Sequence, residues 1–318
     1  MKKSASRISV SGFMISIITA AFSLTACNKD DSGNGGTAST TIKITDAAID
    51  DISVTGAFVT ISDIKLDGQR IEGFTKITVD INAYQNGTAK TLGTFNLASR
   101  TYSSITFVLD YDIDASGGSP GCYVMTTGGV KHKLQSIANS ITISKSMALS
   151  GSSSIIADFD LRKMITRQSG AGADQYDFVT ATELENSIRV VAENKAGTIT
   201  GTLTNNVAGS GKVIAYAYKK GAYNRTTEMQ ASGTSGIQFK NAISSSVVSG
   251  SGNYQLHFLE NGDYEVHFAN YTDSNADGKW ELSGTLVVLG AGSLNFLNLN
   301  VGANTTLTAN ATVTAILP

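Results

Sequence analysis

The chain has only two cysteines, Cys27 and Cys122, in 318 residues. At most one intramolecular disulfide can form, so a disulfide-stapled scaffold is excluded and packed apolar cores must carry stability. Charge is sparse and nearly balanced, with 24 basic against 26 acidic residues and a net charge of −2. Such a chain has no basic field for nucleic acid, and no nucleic-acid partner is expected. Past the N-terminal segment no uninterrupted apolar run reaches about 18 residues, so no second membrane segment is expected. The apolar stretch 285–301 is cut to strand lengths by Gly290, Gly292, Ser293, Asn295, Asn298 and Asn300. Catalytic signatures are missing too: there is no Gly-x-Ser-x-Gly elbow, no His-Glu-x-x-His motif and no phosphate loop.

What is present begins at the N-terminus. Lys2, Lys3 and Arg7 form a basic region, and no charged residue follows until after Cys27. Ser9, Ser11, Gly12, Ser16 and Ser23 interrupt this apolar segment, which suits an export signal better than a retained helix. Leu24-Thr25-Ala26-Cys27 resembles the lipobox of bacterial lipoproteins. That resemblance implies a signal peptide over 1–26 and a diacylglyceryl, N-acylated (palmitate-type) Cys27. Each buried methylene of such chains contributes about 0.8 kcal/mol, and two or more chains anchor stably. Lipidation consumes Cys27 and leaves Cys122 without a disulfide partner. Lys29, Asp30 and Asp31 are similar to the surface-export signal of lipoproteins in one group of Gram-negative bacteria. They imply an outer-membrane protein facing the cell exterior. Removing Lys2, Lys3 and Arg7 from the 24 basic residues leaves 21 against 26 acidic ones, near −5.

Residues 27–40, rich in Gly, Ser and Thr, read as a flexible lipidated tether. Beyond them, apolar and polar residues alternate with a period of two. Examples are Ile42 and Ile44, Val59 and Ile61, Ile77, Val79 and Ile81, then 105–109 and 141–143. Each segment reads as a half-buried strand, bounded by Gly, Asn and Ser turns. The one helical candidate is short, over 158–166. A first β unit spans 41–192, a linker 193–197, and a second β unit 198–318. The expected fold class is all-β: two antiparallel β-sandwich domains in tandem after the signal peptide and tether.

Residues 41–191 resemble a family of secreted bacterial lipoprotein domains of unknown function. The likeness runs from Ile44-Thr45-Asp46-Ala47-Ala48 through Val79-Asp80-Ile81, Leu92-Gly93, Tyr102-Ser103-Ser104-Ile105 and Asp158-Phe159-Asp160 to Ile188-Arg189-Val190-Val191. Ala48 stands where the family usually has Pro. The resemblance implies a β-sandwich and no catalytic residues. Residues 198–318 are similar to prealbumin-like and carboxypeptidase-regulatory-like sandwiches. That likeness rests on Gly252-Asn253-Tyr254-Gln255-Leu256, Leu259 and Gly262-Asp263-Tyr264-Glu265-Val266. It places Tyr254, Leu256, Leu259, Tyr264 and Val266 inward.

One motif carries metal chemistry. Asp273, Asn275 and Asp277 stand at positions 1, 3 and 5 of a loop, with Gly278 at 6, the Lys279 carbonyl at 7 and Glu281 at 9. This is the front half of a calcium loop. Position 12 is Gly284 rather than a bidentate Glu, and the flanks read as strands, so an EF-hand is not expected. A structural calcium and a plain Asn/Asp/Gly turn both remain open; no other cofactor is required. His257 and His267 flank Asn261-Gly262 and are expected to face solvent, with no third zinc ligand at a recognisable spacing. Cys122 reads as a bland thiol, since sequence alone brings no His to it. Asp110, Asp112 and Asp114 are expected to decorate a strand end.

The leading expectation is a non-enzymatic lipoprotein, a binding or structural module held to the membrane by its lipid and serving an unidentified protein or glycan partner. The alternative is a glycan- or polymer-capture protein, which needs an exposed platform drawn from Trp280, Tyr271, Tyr216, Tyr218 and Tyr223. A hydrolase ranks third.

Overall fold

Ala38, Ile42 and Ile44 fall on one face of the first strand, Thr37–Ala47, and all three are fully buried. The strand therefore starts inside the segment read as tether, and 37–40 belong to the fold. In this computed structural model the described residues are 36–318, apart from 48–50, 52, 137, 169–174 and 206–210. Cys27, Lys29, Asp30 and Asp31 lie outside them.

The N-terminal β unit packs two sheets face to face. One has the strand order Ile188–Ala192, Ser152–Asp160, Thr37–Ala47, Lys90–Ala98. The other runs Val130–Lys133, Tyr123–Thr126, Val54–Leu66, Thr101–Leu109, Ser140–Ala148, with two short strands added on Val54–Leu66. Ile42, Ile44, Val59, Ile61, Ile64, Phe107 and Phe159 fill the space between them. Burial of each such side chain contributes about 1.5–3 kcal/mol.

The C-terminal β unit is a nine-stranded sheet folded over on itself. Strand Ala196–Thr204 serves both layers. Its first part pairs with Asn253–Glu260, and its end, Leu203 and Thr204, pairs with Ala311 and Thr312. The fold is tight there: a Cβ on Gly201 would stand 1.8 Å from the Ala309 carbonyl oxygen.

Both units are all-β, as the alternation implies, but their ladders are not uniformly antiparallel. Thr37–Ala47 runs parallel to Ser152–Asp160, and Ala196–Thr204 runs parallel to both Thr306–Thr308 and Ala311–Leu317. Period two fixes which face of a strand is buried; it does not register the direction of the neighbour.

Two local expectations need correction. The helical candidate over 158–166 is a strand to Asp160, one helical turn at Leu161–Met164, and a strand again from Ile165. Asp158 and Phe159 are held in the sheet by pairing with Arg189 and Ile188. A second short helix is Ala181–Asn186, where Thr180 and Glu183 form a capping box. The segment 193–197 is not loose either. Glu193–Lys195 is a single 3-10 turn, Glu193 pairs with Lys43 at 2.8 Å, and Ala196 already belongs to a strand. Gly35–Pro318 is one compact unit containing both β units.

Candidate functional site at the junction of the two β units

The junction is built from charge. The helical turn Leu161–Met164 carries Arg162 and Lys163, and both are buried. Arg162 Nη1 donates to the Gln238 carbonyl at 2.5 Å, and Nη2 donates to the Phe239 carbonyl at 3.2 Å. Lys163 Nζ donates to the Ala242 carbonyl at 2.9 Å. One carboxylate oxygen, Asp160 Oδ2, serves both cations, at 3.3 Å from Arg162 and 3.0 Å from Lys163. These cations outweigh the burial of Asp160 and hold its carboxyl below the usual carboxylate range. Beside them Arg189 pairs with Asp158 at 2.6 Å and donates to the carbonyls of His257, at 3.0 Å, and Phe258. Burial keeps the Asp158 carboxyl raised despite Arg189. Three cations of the first unit thus close on backbone carbonyls of the second.

The candidate metal loop abuts the same junction. It links the antiparallel strands Gly262–Thr272 and Glu281–Gly290. Asp273 Oδ1 and Oδ2 accept from the amides of Asp277 and Gly278, both at 3.1 Å. Asn275 Oδ1 also accepts from Asp277 N, at 3.0 Å, and Asp277 Oδ1 accepts from Lys279 N at 2.7 Å. Glu281 Oε2 accepts from Ser274 N at 3.0 Å. The structure brings Asp273, Asp277 and Glu281 together, each offering an oxygen within 4.8 Å of the others. Such oxygens suit a hard cation like calcium. The Lys279 backbone bridges to Asp51 of the first unit, and the Asp277 carbonyl accepts from Arg167 Nη2 at 2.9 Å.

Asp51 and Arg167 belong to a further buried cluster. Arg167 Nη1 lies 3.4 Å from Asp51 Oδ2, which also accepts from Tyr176 OH at 2.9 Å. Burial pushes the Tyr176 hydroxyl up to about 12. Between this cluster, Arg162 and the loop lies a cavity of about 140 Å³, with Tyr271, Lys279 and Trp280 in its wall. Asp51, Arg162, Arg167 and Tyr176 carried no motif. Their one sequence signal is charge set inside an apolar context, as in Phe159-Asp160-Leu161-Arg162-Lys163-Met164.

Other expected sites resolve differently. Tyr216, Tyr218 and Tyr271 are buried, so these three are core aromatics and not part of an exposed platform. Tyr216 stacks on Phe239 at 4.4 Å, and Tyr218 OH donates to Glu228. The strand Lys212–Lys219 is covered on both faces, and the 220–243 excursion supplies the second cover. The two histidines are not solvated surface groups. His257 is half-buried, with Nε2 2.7 Å from Gln255 Oε1 and Nδ1 3.2 Å from Thr198 Oγ1. His267 stacks on Tyr223 at 3.7 Å, with Nε2 3.3 Å from Glu265 Oε2. Burial lowers both imidazole pKa values. Their strands do not pair with each other, because the chain changes layer at Asn261-Gly262. Cys122 is buried, and burial pushes its thiol up to about 12. His132 instead contacts Thr126 Oγ1 at 3.0 Å and the Tyr176 ring at 4.9 Å. Asp110 and Asp114 accept amides of their own loop, and Asp112 pairs with Lys133.

No curated protein matches the chain. The likeness to each of the following solved structures is low. The Bacillus anthracis TIE protein is 10% identical over 87% of this chain and 35% of its own, with a TM-score of 0.19. The chain thus spans about a third of that protein. GBS52, the minor pilin of Streptococcus agalactiae, is 11% identical over 88% of this chain and 99% of its own, with a TM-score of 0.20. BcpA, the major pilin subunit of Bacillus cereus, is 9% identical over 88% and 71%, with a TM-score of 0.20. Within this chain, residues 37–179 match the family described as "Domain of unknown function (DUF4382)", which covers most of the N-terminal β unit.

Proposed function

We propose that this chain is a non-enzymatic lipoprotein of the outer membrane that displays two β-sandwiches outward as one stiff structural or binding module. The observation that supports this most is the junction. Arg162, Lys163 and Arg189 are fixed on carbonyls of the second unit, while Asp160 and Asp158 hold them from the first. Breaking one buried pair of this kind costs about 3–5 kcal/mol, so the units resist hinging. That suits a spacer or a platform better than a machine that opens and closes. Anchoring rests on the lipobox at Cys27, and outward display on Lys29, Asp30 and Asp31. The C-terminal unit serves as a prealbumin-like sandwich. Its loop, through Asp273, Asn275, Asp277, the Lys279 carbonyl and Glu281, takes a structural calcium. The test of the anchor is Cys27→Ser. The variant is expected in the soluble fraction, and unchanged membrane association would overturn the reading.

A further inference from the structure

One side of the first unit's sandwich is open at two strand edges. Among the described residues, Ser140–Ala148 is the last strand of one sheet and Ile188–Ala192 the last of the other. The two strands adjoin. A cavity of about 420 Å³ lies against them, lined by 142–145 of the first and 188–191 of the second. Successive side chains of a strand point to opposite faces, so a cavity lying against a face meets every second residue. This one meets four in succession on each strand. It therefore looks onto the edges, where alternate residues of an outermost strand turn N–H and C=O away from the sheet.

The edge of Ser140–Ala148 is not blunted. The opposite edge of the same sheet, Val130–Lys133, has four residues and two lysines, a common protection against strand addition. Ser140–Ala148 has nine residues, no proline and one charge, Lys145. That ammonium is drawn to Glu260 of the second unit at 2.7 Å. Pairing with Thr101–Leu109 is regular over Ser140–Ser144, so the outward groups keep strand spacing there. The cover narrows the occupant. Lys219, Glu260 and Tyr264 of the second unit line the same cavity, and Lys219 Nζ donates to Tyr264 OH at 2.6 Å. A single extended chain fits beneath them. A folded sheet of a second copy, with its other layer about 10 Å behind, does not. Ile143, Ile188 and Val190 give the cavity aliphatic side chains from the first unit, so alternating apolar and polar residues suit it.

We propose that the edge 140–144 takes up an extended peptide of a partner protein as one further strand, held chiefly through its backbone. This deepens the binding half of the reading above by naming the partner class, and it stands apart from the anchor, which Cys27→Ser tests separately. The test is fluorescence anisotropy and amide hydrogen exchange on residues 27–318 bearing Cys27→Ser. The probes are dye-labelled hexapeptides that alternate valine with threonine, lysine or glutamate, each made also with an N-methylated backbone. Saturable binding and slower exchange at 140–144 are expected. N-methylation should weaken binding about tenfold or more, because several backbone hydrogen bonds are lost. Ser144→Trp fills the cavity from an exposed position and should weaken binding to a similar degree. Asn96→Trp, on the edge strand Lys90–Ala98 of the other sheet, should leave it unchanged. No saturable binding by any probe, equal binding of the methylated peptides, exchange at 140–144 unaltered by peptide, or undiminished binding in a Ser144→Trp protein that melts like the parent would overturn the proposal.

Discussion

Asp160 Oδ2 holds two buried cations at once, because Arg162 and Lys163 both close on it inside the junction. Asp160→Asn would remove the carboxylate that buried Arg162 and Lys163 share. A loss of about 3–5 kcal/mol in urea unfolding is expected, with part of it recovered by the double change Asp160→Asn, Lys163→Met. A variant as stable as the parent would show that water reaches these charges. Phe239 and Phe258 are the acceptors' side of the same residue-scale story. Both have left-handed backbones, at φ 49° and 54°, and both turn a carbonyl to an arginine of the first unit. Such backbone costs of order 1–3 kcal/mol at a bulky residue, so the junction holds these turns in place. At Asp273 and Asp277 the expectation concerns calcium. A ligand at a hundredfold its dissociation constant adds about 2.7 kcal/mol, so even an affinity of about 10⁻⁴–10⁻³ M should raise Tm. Asp273→Ala and Asp277→Ala should abolish that rise. A melt indifferent to calcium and chelator would reduce the loop to an Asx-rich turn.

At the scale of elements, the short helix Ala181–Asn186 is tied across the junction by its own cap. Glu183 accepts from Thr180 N and Oγ1 and from Ser235 N and Oγ. Burial opposes ionisation here, but the bonds from Ser235 and Thr180 outweigh it and hold the carboxyl at about 2, against an ordinary 4.5. The folded pKa is depressed, so the stabilisation is present above 4.5 and is lost as pH falls towards 2. Glu183→Gln should flatten the fall of Tm across that interval. An unchanged acid limb would mean that Glu183 is solvated. The capping box was legible in Thr180 and Glu183. A helix of only six residues is too short to show an apolar periodicity of its own. The opposite case is 158–166, where Phe159, Leu161, Met164 and Ile165 have helical spacing, but pairing with Arg189 and Ile188 keeps Asp158 and Phe159 extended and leaves one helical turn at Leu161–Met164. Long-range pairing overrides a local preference of a few tenths of a kcal/mol per residue.

At the scale of the molecule, Gly35–Pro318 is one compact unit, and its described residues form three buried apolar clusters. Unfolding should therefore be a single transition, reported alike by fluorescence of Trp280 and by far-ultraviolet dichroism. Two separated transitions would show that the junction does not couple the units. For display, changing Lys29, Asp30 and Asp31 together to Ala should keep the protein on the membrane but lower its exposure to protease on intact cells. Equal cleavage of variant and parent would count against an export role for those residues.

Alternation alone settles the buried faces of the strands. Ile42 and Ile44, Val59 and Ile61, and Tyr254, Leu256, Tyr264 and Val266 all point inward as alternation implies, since side-chain direction in a strand is a local property. The sequence also determined which loop gathers Asp273, Asp277 and Glu281, because those residues lie within one turn of chain. Only the tertiary structure decided the rest. The parallel pairing of Thr37–Ala47 with Ser152–Asp160 joins segments over a hundred residues apart. The burial of Tyr216 and Tyr218 depends on the 220–243 excursion, and the destinations of Arg162, Lys163 and Arg189 are carbonyls of another unit. A charged side chain shows in the sequence as a charge alone; its partner, and so whether it is solvated or clamped, is set by contacts that exist only once both sandwiches have closed on each other.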